Sequence, residues 1–242
     1  MFRALGLRFV EIGTENVPAA GGAVLASNHV SYLDFIFVGL AGQPSNRLVR
    51  FMAKRETFDH RVSGPLMRGM HHIEVDRDSG AASFDEACRR LKEGELVGVY
   101  PEATISRSFE IKAFKSGAAR MAIAADVPIV PHIIWGAQRI WTKGYPKNMW
   151  HPNVPISIAV GAPIMPTLPP TELTALLHSR MQHLLERVQD AYGPHPPGEF
   201  WVPHRLGGGA PTLAEANRMD AEEAAEKAAR RAQRADPTGA PG

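Results

Sequence analysis

Ala23-Val24-Leu25-Ala26-Ser27-Asn28-His29-Val30-Ser31-Tyr32-Leu33-Asp34 is the stretch that decides how this chain folds. Four small apolar residues run toward a histidine, and a carboxylate follows five positions after it. On one continuous helix that separation turns the two side chains about 140° apart, so they would not meet. They meet if His29 lies on the turn leaving a strand and Asp34 in the first turn of the next helix. The pair is then a general base with an orienting partner, set at the end of a sheet. The same letters fit an ordinary helix start, with Ser31 as cap and Asp34 reaching back to a free backbone N–H.

Outward from this stretch, short apolar runs alternate with helical patterns. The pattern predicts strands over Ala23–Ala26, Arg50–Ala53, Ile73–Val75, Leu96–Tyr100, Ile129–Ile134 and Ile156–Val160. It predicts helices after Ser31, near Ser79–Lys92, near Ala113–Ala125 and from Thr171 onward. Phe84, Ala87, Cys88 and Leu91 keep the i, i+3, i+4, i+7 spacing of one helix face, and Gly94 closes it. Leu173, Leu176, Leu177, Met181, Leu184, Leu185 and Val188 form a second stripe, with Thr171 as its expected cap and Gly193 past its end. Strand–helix alternation of this kind argues a layered α/β fold.

A chain of 242 residues, 44% of them hydrophobic, suffices for one sizeable domain and a tail. A net charge of +2 gives no reason to expect nucleic acid as a partner. The lone Cys88 falls on an apolar helix face and reads as core, in a reducing compartment. No apolar run reaches the length of a membrane span. The expected organisation is a domain over residues 1–193, a Pro- and aromatic-rich strap over 194–206 (His195-Pro196-Pro197-Gly198-Glu199-Phe200-Trp201-Val202-Pro203), and a mobile tail over 207–242. Leu213–Arg234 has helical character but few apolar groups to anchor it.

Two further segments carry polar groups toward strand ends, where ligands of α/β sheets gather. Val97-Gly98-Val99-Tyr100-Pro101-Glu102-Ala103-Thr104 runs from an apolar strand to a carboxylate and a hydroxyl, with Arg107 in the same loop. Gly69-Met70-His71-His72-Ile73-Glu74-Val75-Asp76-Arg77 ends on an arginine, whose planar fork suits phosphate. Surface ion pairing is the plainer role for Glu102 and Arg77. Adjacent His71 and His72 would point to opposite faces of a strand, so no metal site is expected.

These segments together resemble the glycerolipid acyltransferases of the lysophosphatidate (1-acyl-sn-glycerol-3-phosphate) and glycerol-3-phosphate type. Asn28-His29-Val30-Ser31-Tyr32-Leu33-Asp34 is similar to the first family block, His-x4-Asp. The Gly69–Arg77 segment resembles the second, which ends Asp-Arg, and Tyr100-Pro101-Glu102-Ala103-Thr104 the third, usually Phe-Pro-Glu-Gly-Thr-Arg-Ser. Val127-Pro128-Ile129-Val130-Pro131 matches the fourth, preceded by Lys115-Ser116-Gly117-Ala118-Ala119. The third block departs from the pattern: Ala103 stands at the glycine position and Ile105 at the arginine position.

The resemblance implies a single layered α/β domain with a mixed, mostly parallel sheet, and transfer of a fatty acyl group from acyl-CoA or acyl-ACP to the hydroxyl of lysophosphatidate. His29 would be the general base and Asp34 its orienter; Arg77, Glu102 and Thr104, helped by Arg107, would hold the acceptor; block four would shape the acyl groove. No cofactor beyond the thioester co-substrate and no metal is implied. Other alcohol acceptors, a silent lipid binder and a metal-dependent hydrolase stand as alternatives.

A lipid substrate also implies peripheral contact with an anionic membrane, placing the protein in the cytoplasm on the inner face of the cell membrane. Arg47, Arg50, Lys54 and Arg55 alternate with Phe37, Leu48, Val49, Phe51 and Met52, and Arg139, Lys143 and Lys147 with Trp135, Trp141, Tyr145 and Trp150. Basic groups attract anionic headgroups and Trp and Tyr favour the interface. Phe2, Leu5, Leu7 and Phe9, with Arg3 and Arg8, offer a further anchor.

Overall fold

A central strand buried on both faces needs an uninterrupted apolar run, and Ala23–Ser27 supplies one: all five residues are buried. Around it the computed structural model, which describes residues 6–54, 58–61, 63–75, 80–148 and 153–235, builds a seven-stranded sheet. The strands are β1 (Arg8–Ile12), β2 (Ala23–Ser27), β3 (Val49–Lys54), β4 (Ile73–Val75), β5 (Leu96–Val99), β6 (Ile129–Trp135) and β7 (Pro155–Val160). Their spatial order is β1-β7-β6-β2-β5-β3-β4, parallel throughout except for the antiparallel β6–β7 pair. The expected mixed, mostly parallel α/β sheet is the fold of this chain.

The helices are α1 (Asp34–Ala41), α2 (Ser63–Gly69), α3 (Gly80–Lys92), α4 (Gly117–Ala125), α5 (Pro170–Tyr192) and α6 (Leu213–Ala235). Ala23 and Leu25 join Phe37, Val38 and Ala41 of α1 in one core cluster with Val130, Ile134, Ile156 and Ile158. By the two-residue alternation of a strand, Val24 and Ala26 face the opposite side, and α4 packs on β2 as well. Helix α3 packs on α4, α4 on α5, and α5 on β6 and β7. Cys88 is buried with Ala87 and Leu91 on the apolar face of α3.

The chain divides into two compact units, one of residues 1–106 and 111–194, the other of 107–110 and 195–242. In the second unit the stretch expected as a mobile tail contains helix α6. Thr212 and Glu215 cap it reciprocally: the Thr212 amide donates to Glu215 Oε2 at 2.9 Å and the Glu215 amide to Thr212 Oγ1 at 3.3 Å. This Thr-x-x-Glu box is legible in the sequence, and it does at the helix start what apolar anchoring does elsewhere.

Several local expectations are corrected. β1 extends the sheet edge where a membrane anchor around Phe9 and Arg8 was expected; residues 1–5 lie outside the described residues. Helix α5 begins at Pro170, with its missing N–H tolerated at the first helical position, rather than after a Thr171 cap; α1 begins at Asp34, with no side-chain cap at Leu33.

Candidate functional site

β2 and β5 are parallel neighbours with Ala26 opposite Val99, so His29 and Tyr100 leave the sheet at the same edge. The turn after β2 is held from several sides. Asn28 donates its amide Nδ2 to Ile134 O (3.0 Å) and accepts the Ile134 N–H at Oδ1 (2.8 Å), which fixes the exit of β2 against β6. The Thr142 hydroxyl donates to Val30 O at 2.7 Å, and the Ser31 hydroxyl donates to Trp141 O at 2.7 Å while accepting the Leu33 amide at 3.1 Å.

Within this turn His29 and Asp34 meet. His29 Nδ1 lies 2.9 Å from Asp34 Oδ2, and the same oxygen accepts the amides of Val30 (2.7 Å) and Ser31 (2.8 Å). The pairing with His29 and the reach back to free backbone N–H groups therefore coexist on one carboxylate. Two amides mark Oδ2 as an acceptor, so Nδ1 is the donor and the lone pair of the imidazole sits on Nε2. Asp34 is fully buried. Burial raises its carboxyl above the ordinary value, against the opposing pull of the His29 ring and the two amides.

Tyr100 stacks on the His29 ring, with centroids 4.0 Å apart and planes 13° from parallel. Phe51 stacks on Tyr100 in turn (5.2 Å, 22°), and His72 stands edge-on to Phe51 (5.8 Å, 88°). The Phe51 amide donates to His72 Nδ1 at 3.1 Å. Burial, with the Arg50 charge, lowers His72 to about 4, so its ring is neutral at ordinary pH. These rings, with Phe35, Met52, Met67, Val99, Met121 and Lys115, line a cavity of about 600 Å³ on which His29 opens. Its volume and apolar wall suit a small-molecule ligand with a long hydrocarbon part.

The remaining site residues named from sequence fall in different places. Glu102 is 6% exposed and does not line the cavity. Its Oε1 accepts the His29 amide (3.0 Å) and its Oε2 the Lys112 amide (3.1 Å), making it a brace between the two loops. Burial pushes its carboxyl up to about 8, although both amides and the Lys112 charge oppose this. The Ser106 amide donates to His29 O at 2.7 Å, so His29 is gripped at both backbone ends. The Thr104 hydroxyl accepts from the Lys112 ammonium. Arg107 pairs through its guanidinium with Asp220 Oδ1 (3.3 Å) and Glu223 Oε2 (2.9 Å) of α6 within the second unit. Arg77 lies outside the described residues.

The block-four residues lie in the core. Val127, Ile129 and Val130 are buried core, and the 115–121 segment lines the cavity in their place. Of the basic–aromatic stretches, Phe37, Val49, Phe51 and Trp135 are buried. Arg47 donates to Pro18 O and Gly94 O, and Arg50 pairs with Glu95 at 2.7 Å. Tyr32 (43% exposed) and Leu48 (55%) stay on the surface. Trp141 tilts against Tyr32 at 4.8 Å, and the Lys147 ammonium lies over the Trp141 ring, 4.7 Å from its centroid. Trp150 and Arg55 lie outside the described residues, as does the Lys54 side chain. No described helix is long and apolar enough to cross a membrane. Among the described residues no group of three His, Cys, Asp or Glu is placed to hold a metal ion.

Ala103 has φ +64°, a left-handed conformation that glycine adopts without penalty. The backbone of this loop therefore keeps the shape that a glycine at this position would serve.

Fold and site define an α/β protein with a histidine–carboxylate pair at the carboxyl edge of its sheet, opening on an apolar cavity. The family model described as Acyltransferase matches residues 8–135, and the chain belongs to that family. It is 34% identical over 137 residues to the 1-acyl-sn-glycerol-3-phosphate acyltransferase of Bacillus subtilis (55% of this chain, 67% of the relative). The Limnanthes douglasii enzyme of that name is 35% identical over 132 residues (50% and 44%). The human beta form is 35% identical over 130 residues (52% and 46%). The match thus spans less than half the length of these plant and human relatives. The solved structure of the 1-acyl-sn-glycerophosphate (LPA) acyltransferase PlsC from Thermotoga maritima shares the fold, with a TM-score of 0.67 at 22% identity, over 80% of this chain and 77% of that one.

Proposed function

We propose that this protein transfers a fatty acyl group from an acyl thioester, acyl-CoA or acyl-ACP, to the free hydroxyl of lysophosphatidate, giving phosphatidate. The observation that carries this is the His29–Asp34 pair opening on an apolar cavity of about 600 Å³. His29 Nε2 takes the hydroxyl proton as the acceptor oxygen attacks the thioester carbonyl. The C–O bond forms, the C–S bond breaks, and the departing thiolate takes the proton back from the imidazolium. Base catalysis of this kind is worth about 10²–10⁴ in rate near neutral pH. Asp34 holds the tautomer and offsets the developing positive charge. Glu102 and Thr104, with Lys112, shape the loop that grips the His29 backbone, and Arg77 is the residue assigned to the acceptor phosphate. Tyr32, Trp141 and Lys147 beside the His29 turn supply a peripheral contact for an anionic membrane surface.

The test is free-thiol release from a long-chain acyl-CoA by the purified protein, with and without lysophosphatidate. Acceptor-dependent release that disappears in a folded His29→Ala variant is the expected result. Release that favours glycerol 3-phosphate, another lysophospholipid or a simple alcohol would replace the acceptor. Absence of release with acyl-CoA and acyl-ACP across all these acceptors would overturn the enzymatic reading in favour of lipid binding.

A further inference from the structure

Residues 107–110 stand in the middle of the loop after β5, yet they count with residues 195–242 rather than with the unit that holds the rest of that loop. Both flanks of these four residues hold the His29 turn. On one side the Ser106 amide donates to His29 O at 2.7 Å, and Ser106 is fully buried. On the other the Lys112 amide donates to Glu102 Oε2 at 3.1 Å, while Glu102 Oε1 accepts the His29 amide at 3.0 Å. Anything that fixes 107–110 therefore fixes the chain that grips His29 through both its backbone N–H and its C=O.

Two features fix them. Phe109 is fully buried with φ +56°, a left-handed conformation that a bulky residue keeps only where its surroundings over-determine it. The other buried apolar side chains described in this unit are Trp201, Val202, Ala210 and Ala216. A unit this small has little apolar surface to bury, and it takes one of its two buried rings from the loop after β5. The second feature is charge. The Arg107 guanidinium, 15% exposed, meets Asp220 Oδ1 at 3.3 Å and Glu223 Oε2 at 2.9 Å, and the two carboxylates stand three residues apart on one face of α6. One cation between two carboxylates, largely out of water, is a firmer tie than an exposed ion pair. Glu223 also pairs with Lys227 of its own helix, and Glu110 meets Arg205 at 3.8 Å.

We propose that the C-terminal unit is a clamp on residues 107–110, and that Arg107 is the positioning residue through which α6 acts on His29. Its part is to hold the chain so that the Ser106 amide stays on His29 O and the imidazole stays in place for the reacting hydroxyl. Arg107 itself touches no reacting atom. Holding a base in place before the substrate arrives lowers the barrier, because the cost of ordering the loop has been met on folding.

The proposal rests on the acyl-transfer reading for its kinetic readout, so the test includes one that needs no turnover. Asp220→Asn with Glu223→Gln removes both carboxylates and leaves every residue matched by the family model unchanged. The expected fall in kcat is about 10-fold with KM for both substrates unchanged, and adding Arg107→Gln lowers kcat no further. Arg107→Glu alone is the slowest protein, and Arg107→Glu with Glu223→Arg, which exchanges the charges, recovers most of the rate. Amide hydrogen exchange read by mass spectrometry should quicken about 10-fold over peptides covering 101–112 in the Asp220→Asn/Glu223→Gln protein, with β2 and β6 still protected. Unchanged kcat, unchanged exchange over 101–112, or no recovery on charge exchange would overturn the clamp. So would a raised KM for lysophosphatidate with kcat intact, which would make Arg107 an acceptor ligand. If the parent transfers no acyl group at all, the acyl-transfer reading fails, and exchange over 101–112 alone decides the clamp.

Discussion

Replacing Gly98 with alanine adds a single methyl group at a place where the structure has no room for one. An added Cβ would lie 2.5 Å from Phe51 Cζ and 2.7 and 2.8 Å from its Cε atoms. Carbon atoms rest about 3.5–4.0 Å apart, so the Phe51 ring would have to retreat by about 1 Å. It has little freedom to do so. Phe51 is 6% exposed, stacked on Tyr100 and met edge-on by His72, which also accepts the Phe51 amide. Overpacking of this kind costs about 1–3 kcal/mol, against about 0.5–1 kcal/mol gained by alanine over glycine in a strand. The net is a destabilisation of about 1–2 kcal/mol, or a fall in Tm of about 2–8 °C at this chain length. The displacement also passes through Tyr100 to His29, and a 1 Å misplacement of catalytic groups costs about 10² in rate. Circular-dichroism melting and thiol-release kinetics on Gly98→Ala measure both. Phe51→Leu in the same chain should restore much of the loss, giving a favourable coupling in a double-mutant cycle. Gly98→Ala with unchanged Tm and unchanged rate would refute the claim that the aromatic stack is seated on this glycine.

Three other outcomes follow from the site. Asp34→Asn keeps an oxygen for the amides of Val30 and Ser31 but loses the charge that supports imidazolium; turnover should fall by about 10²–10⁴ while the melting transition stays cooperative. Ala103→Gly relieves a left-handed alanine worth about 1–2 kcal/mol, partly offset by the entropy of the unfolded glycine; a gain of up to about 1 kcal/mol in urea titrations is expected. Glu102 carries a raised folded value of about 8 against 4.5, so its folded form holds a proton that the unfolded chain has lost between those limits. Stability from this group is full below pH 4.5 and declines as pH rises through 8; the decline should vanish from the comparison of urea midpoints in Glu102→Gln.

How much was legible depended on how far apart the interacting residues stand in the chain. His29 and Asp34 are five positions apart, and their meeting was readable because a strand exit followed by a helix start is a local event. The strands from β2 onward and the stripes of α3 and α5 were readable for the same reason, each being a run of residues with its own period. β1 was missed because a half-exposed edge strand has no apolar run of its own and exists through its pairing with β7. The bracing role of Glu102 is not legible locally, because its two amide partners come from positions 73 and 10 residues away. Arg107 finds its carboxylates 113 and 116 residues later. Asn28, whose clamp on Ile134 sets the exit of β2, carried no separate signal beside its histidine neighbour.

The amino-acid sequence by itself determined the α/β layering, the strand that ends at the site and the meeting of His29 with Asp34. These follow from hydrophobic periods and from chemistry confined to a dozen residues. Tertiary structure alone decided that Gly98 seats Phe51, that Tyr100 lies against His29, that Glu102 braces two loops and that Arg107 belongs to the second unit. Such contacts depend on which strands become neighbours, and strand order is set by the burial energy of the whole sheet rather than by any one segment of it.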